Sequence, residues 1–192
     1  MKELILASSS LYRKSLLQKL NLEFITASPD IDEHPKPNEQ PDKLALRLAI
    51  EKALALQSDY PSHLIIGSDQ VASFDNHILG KPGNHQNTIK QLKLQSGRSV
   101  NFYTSVCVLD ASSGRYYTDI DLCTTYFKKL SDQQILNYVN LDTPYNCAGG
   151  FKAEGLGISL FDKIEGEDPN SLIGLPLIKL IKILERFDIQ VI

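Results

Sequence analysis

The sequence predicts a mixed α/β fold, a strongly twisted sheet flanked by helices, with an active cleft at strand ends. Three observations lead there. Short apolar runs alternate with stretches of helical periodicity, the pattern of α/β domains. Two segments read as β-hairpins, so the sheet cannot be purely parallel. The run "HLIIGSDQVASF", residues 63–74, turns from apolar to Gly67, Ser68, Asp69 and Gln70 in mid-course, which marks a sheet position given over to chemistry.

The elements follow in order. Glu3–Ala7 is a strand, Ser8–Ser10 a polar turn, and Leu11–Leu20 a helix with Leu16, Leu17 and Leu20 on one face. Phe24–Ala27 forms a second strand. The stretch "SPDIDEHPKPNEQP" must be an irregular loop, because Pro29, Pro35, Pro37 and Pro41 interrupt any regular ladder. Pro41 opens a long helix to about Gln57, since proline is tolerated where the backbone N–H has no partner. Leu64–Ile66 resumes the sheet, and Asp75-Asn76 is a two-residue turn leading back through His77–Leu79. Gln86–Gln95 is a helix stopped by Gly97. "SVNFYTSVCVLD" and "RYYTDIDLCTTYF", β-branched and aromatic, pair across "ASSG". Ser131 and Gln134 make a capping box for a helix through Val139. Ile158–Ile164 reads as a late strand and Pro176–Phe187 as a closing helix.

Residues 1–192 fit a single domain, and 42% hydrophobic content supports a sizeable core. A net charge of -3 argues against a partner such as a nucleic acid polymer, which needs a basic face. Any phosphate site must be built locally. The three cysteines, Cys107, Cys123 and Cys147, form no CxxC pair and suit a reducing compartment. The opening MKELILA is too short an apolar run for a membrane span, so a soluble, cytoplasmic protein is expected. His34, His63, His77 and His85 lack metal-ligand spacing.

Five constellations carry chemistry. In "SSSLYRK", residues 8–14, the hydroxyls of Ser8 and Ser10 and free N–H groups at a helix start make an anion site. Arg13 and Lys14 sit where the helix dipole disfavours cations, which an anion between them would explain; the plainer reading is a serine cap with solvated basic residues. Lys52 projects from the apolar arc of its helix and needs an anionic partner unless it snorkels. The hairpin at Asp75-Asn76 sets Gln70 across from Lys81 and Asp69 beside Pro82, so a carboxylate and an ammonium converge. Asp30, Asp32 and Glu33 lie on the proline-stiffened loop and offer oxygen ligands to Mg²⁺, although acidic loops are commonly just solvated. In "CAGGFKAEGLG", residues 147–157, Glu154 stands among glycines, free to accept two hydrogen bonds from a planar base edge, although the stretch reads equally as a flexible hairpin turn. Neither a Rossmann fingerprint nor GxxxxGK[ST] nor HExxH is present.

Taken together, Ser8–Arg13, Asp32-Glu33, Glu51–Ala53, Gly67–Gln70, Gly80–Pro82 and Phe151–Gly155 form an ordered pattern that resembles the Maf-type nucleoside triphosphate pyrophosphatases over essentially the whole chain. Leu11 departs from the proline many members carry there. The resemblance implies a Maf/ITPase-like fold, a divalent metal cofactor (Mg²⁺, Mn²⁺ or Co²⁺) held by Glu33 and Asp69, and a homodimer. Gln70 with Glu154 is similar to the branch hydrolysing 7-methyl-GTP. The expected chemistry is a water-driven cut between α- and β-phosphates. Asp69 would be general base, Glu33, Lys52 and Lys81 would complete the catalytic set, and Ser8, Ser10, Tyr12, Arg13, Lys14, Gln70 and Glu154 would bind the nucleotide. Three other readings stand beside it: a dTTP/UTP or broader NTP hydrolase, a noncatalytic nucleotide-binding regulator, and a structural ion-pair network.

Overall fold

A computed structural model describes residues 2–75 and 77–192. The turn residue Asn76 lies outside the described residues. The first strand β1 (Leu4–Ala7), β2 (Phe24–Ala27) and the start of β3 (Leu64–Phe74) run parallel, with β1 in the middle. Beyond them the sheet turns antiparallel: β3 pairs with β5 (Ser99–Asp110), β5 with β6 (Tyr116–Phe127), and β6 with β7 (Phe161–Glu165). The short β4 (His77–Leu79) returns along β3 in the register set by the predicted turn, with Ala72 opposite Leu79. Asp75 adopts φ 47°, the left-handed geometry such a turn demands.

Among the described residues, five α-helices cover the sheet. On one face α1 (Leu11–Gln18) and α5 (Leu177–Glu185) bury Leu16, Leu17, Leu180 and Leu184 against Leu6, Leu64 and Ile66. On the opposite face α2 (Pro41–Ala55) packs Ala49 and Ala53 on Ile5 and Ile65. This packing is close because Gly67 has no side chain: a Cβ there would stand 2.1 Å from the Ala49 carbonyl oxygen. The far end of the sheet has its own core, where α3 (His85–Gln95) and α4 (Asp132–Asp142) meet Phe102, Phe127, Phe151 and Phe161. The capping box of Ser131 and Gln134 is present at the start of α4.

Two expectations need correction. The sheet does not stop at Ile66; β3 continues through Gly67, Ser68, Asp69 and Gln70 to Phe74, because the side chains of Ser68, Asp69 and Gln70 each find a partner from elsewhere in the chain. The strand that ends here is its neighbour β1, at Ala7. The late strand starts at Phe161, not Ile158: residues 156–160 form a 3₁₀ turn, in which a Cβ on Gly157 would lie 2.3 Å from the Lys152 carbonyl oxygen. No helix among the described residues is long and apolar enough to cross a membrane.

Candidate active site

The cleft originates in a gap at one edge of β3. Along its other edge β3 is paired with β5 from Leu64 to Ser73. On the gap side, β1 covers residues 64–66 and β4 covers 72–74, which leaves Gly67–Val71 unmatched. Side-chain alternation then divides the exposed stretch. Ser68 and Gln70 face the α1/α5 side, while Asp69 faces α2 and meets Lys52.

Lys52 is 5% exposed and holds two carboxylates: its Nζ lies 2.5 Å from Asp69 Oδ1 and 2.7 Å from Glu33 Oε1. Arg13 Nη2 approaches the same Asp69 oxygen at 4.0 Å. The proline-rich loop carries Glu33 into place because Arg47 of α2 anchors it, bonding Glu39 at 2.7 Å and 2.8 Å and the His34 carbonyl at 3.0 Å. Desolvation pushes the Glu33 carboxyl up, but the Lys52 hydrogen bond and the charges of Lys52, Lys81 and Arg13 outweigh it and hold the group below its usual range. Lys81, just beyond β4, is near enough for its charge to act on Glu33. Asp69 therefore pairs with Lys52 and Arg13, not with Lys81 as an isolated ion pair.

The turn before α1 is built by its serines. Ser8 Oγ accepts from the Ser10 N–H at 3.1 Å, and Ser10 Oγ caps the helix by accepting from the Arg13 N–H at 3.3 Å. Each hydroxyl still has its own O–H to donate. Tyr12, one position before Arg13, turns toward the far end of the sheet. Its phenol is raised above the ordinary value by desolvation first, then by the proximity of Cys147 and Glu154. A partly exposed aromatic face thus stands beside the exposed Glu154 carboxylate.

Some expected residues lie elsewhere or act differently. Lys14 is exposed and makes no ion pair among the described residues, because the helical step turns it off the face that Arg13 occupies. Of the acidic trio only Glu33 reaches the cluster; the exposed Asp32 turns to the His34 N–H at 3.0 Å. Gln70 spends its amide nitrogen on Thr104 Oγ1, Ser171 O and Leu172 O at 3.1, 2.8 and 3.0 Å, leaving only Oε1 as a free acceptor. Sequence reasoning missed Ser171–Gly174, whose signal was one glycine in "SLIGLP", and Cys147, which adjoins Tyr12 and Glu154.

No group of three or more His, Cys, Asp or Glu suited to a metal occurs among the described residues. Glu33 and Asp69 nevertheless converge on one cation, Lys52, and two carboxylates with water and phosphate oxygens suffice for a hard divalent ion. The donor set fits such a group.

Three cations and a carboxylate pair in a sheet-edge gap, with an aromatic ring and a further carboxylate alongside, define a protein equipped to grip a polyanion next to a flat polar group. The mixed sheet is shared with a HAM1 protein from Coxiella burnetii (TM-score 0.52, 14% identity, 97% of this chain and 100% of that one) and the Staphylococcus aureus Ham1 protein (TM-score 0.50, 12%, 83% and 80%), a likeness of fold alone. The chain belongs to the Maf-like family, whose model, described as Maf-like protein, matches residues 3–187. Relatives named 7-methyl-GTP pyrophosphatase come from Colwellia psychrerythraea (52% identical, covering 100% of this chain and 96% of that protein), Pseudoalteromonas translucida (55%, 98% and 94%) and Alcanivorax borkumensis (51%, 97% and 95%).

Proposed function

We propose that the chain hydrolyses 7-methyl-GTP to 7-methyl-GMP and diphosphate, a house-cleaning activity against a modified nucleotide. The observation that carries the reading is the convergence of Arg13, Lys52, Glu33 and Asp69 in the gap of β3, beside Tyr12 and Glu154. Relatives above 50% identity bearing that activity in their names support it.

In this reading the triphosphate lies across the start of α1. Ser8 and Ser10 donate their O–H groups to it, and Arg13, Lys52 and Lys81 neutralise charge that grows on the leaving diphosphate. Asp69 takes a proton from the attacking water, with the strand and the Lys52 bond fixing its orientation. Glu33 and Asp69 would hold Mg²⁺, Mn²⁺ or Co²⁺, which when bound supplies charge screening on the phosphates and a more acidic water. Glu154 accepts from the N1–H and N2–H₂ donors of guanine, Gln70 offers Oε1, and the Tyr12 face attracts the cationic N7-methylated ring. A cytoplasmic homodimer completes the reading.

Diphosphate release from a panel of modified and unmodified triphosphates tests it. 7-methyl-GTP is the preferred substrate, and Asp69→Asn lowers turnover roughly 10²–10⁴-fold with the fold intact. Near-normal turnover by that variant removes Asp69 as base, and preference for UTP or dTTP replaces the substrate.

A further inference from the structure

The turn at residues 171–174 contains none of the residues expected to act on the nucleotide, yet side chains from three elements end on its carbonyls. Arg13 Nε donates to Gly174 O at 2.8 Å and Ser68 Oγ to the same oxygen at 3.2 Å. Gln70 Nε2 donates to Ser171 O at 2.8 Å and Leu172 O at 3.0 Å, and Thr104 Oγ1 to Ser171 O at 2.9 Å. A carbonyl oxygen has two lone pairs, so Ser171 O and Gly174 O are both fully used. Gly174 adopts φ 131°, which only glycine takes without strain, and a Cβ there would come within 3.7 Å of Arg13 Nε. The position of the turn therefore decides where the Arg13 guanidinium and the Gln70 amide point.

What holds the turn lies behind it. Ser171 is completely buried and neighbours Asp121 of β6, itself 1% exposed. Ser171 Oγ and Asp121 Oδ2 are both buried without a completed hydrogen bond among the described residues. Leaving two neighbouring buried polar oxygens unmatched is costly, so a small rotation or a shared proton that joins them is favoured. Desolvation pushes the Asp121 carboxyl up, as do Asp168 and Glu167, while Ser171 and Lys179 pull it down; the net rise favours the form that can donate. The sheet register adds a second tie, setting Asp121 opposite Thr104, which bonds the same turn.

We propose that Asp121 and Ser171 are positioning residues: they seat the 171–174 turn from behind, and its carbonyls aim Arg13 and Gln70 into the site. The kinetic arm of the test rests on the activity proposed above, while the spectroscopic arm needs no substrate. In ¹⁵N–¹H spectra of the full chain, the Arg13 Nε–H, assigned by its loss in Arg13→Lys, exchanges slowly with solvent. Ser171→Ala and Asp121→Ala speed that exchange about tenfold or more, and Asp121→Asn, an uncharged hydrogen-bonding group of the same shape, restores protection. In a double-mutant cycle on kcat/KM for 7-methyl-GTP, Ser171→Ala costs about tenfold alone and less than about twofold in the Arg13→Ala background. Unchanged Arg13 exchange in both alanine variants overturns the proposal, and so does an additive cycle. Asp121→Ser replaces Asp121→Ala if that variant does not fold. Absence of wild-type turnover refutes the proposed activity instead, and the exchange rates then decide the positioning role alone.

Discussion

At the scale of single residues, the cleft separates two kinds of electrostatics. Asp69 and Glu33 are matched by Lys52, whereas Glu154 is exposed beside a phenol that it raises and a thiol that burial keeps protonated. A carboxylate without an ion pair among the described residues, next to an aromatic face, suits a cationic ring edge rich in donors. Glu154→Gln removes that charge while keeping the shape. Because a hydrogen bond to a charged group contributes about 1.5–3 kcal/mol, kcat/KM for 7-methyl-GTP should fall by roughly 10- to 150-fold, chiefly through KM, and much less for UTP. The Tyr12 phenol gives an independent reading: losing the nearby negative charge brings its pKa down toward the ordinary tyrosine value, visible in an ultraviolet titration. Equal losses on both nucleotides, with an unmoved Tyr12 titration, would take Glu154 out of the base site.

At the scale of elements, the cleft depends on how closely α2 lies on β3, and Gly67 sets that distance. An added Cβ would meet Ala49 O at 2.1 Å and Ala53 N at 3.0 Å, both helix backbone that cannot swing aside. Gly67→Ala should therefore destabilise by about 1–3 kcal/mol or more, lowering Tm by several degrees, and should impair turnover by moving Lys52 away from Asp69. An unchanged Tm would mean that α2 slides freely. This strand also shows what the sequence could and could not disclose. The Asp75 turn fixes its register with β4 from neighbouring residues alone, so the approach of Lys81 to the site was legible. Helices α1 and α2 announced themselves through Ser10, Pro41 and their leucine spacing. The length of β3 was not legible, because its polar middle is made tolerable by Lys52, Gly174 and Ser171, groups distant in sequence. The anchoring of Gln70 was hidden for the same reason: nothing local reveals that its amide nitrogen is committed to a turn a hundred residues away.

At the scale of the whole molecule, the two halves of the cleft rest on different cores. Arg13 and Lys52 stand on the packing of α1, α5 and α2 over the parallel strands, whereas Cys147–Gly155 belongs to the phenylalanine cluster at the antiparallel end. Across the mouth, Glu154 of the second part is near enough to Tyr12 of the first to raise its phenol. A ligand that contacts only the cation cluster should steady one core, and a ligand that also reaches Glu154 should couple both. Hydrogen exchange can separate the cases. Inorganic diphosphate with Mg²⁺ is expected to slow exchange at Ser8–Arg13 and around Lys81 while leaving residues 147–155 as they are. 7-methyl-GMP with diphosphate should protect both regions. At about 100 times its dissociation constant a ligand adds about 2.7 kcal/mol of stability, enough to raise Tm by roughly 5–10 °C in a chain of this size. If diphosphate alone protects residues 147–155 as fully as the nucleotide does, the two cores already move as one unit. Base recognition at Glu154 would then have to be sought on a different surface, since the loop would be responding to phosphate and not to a ring.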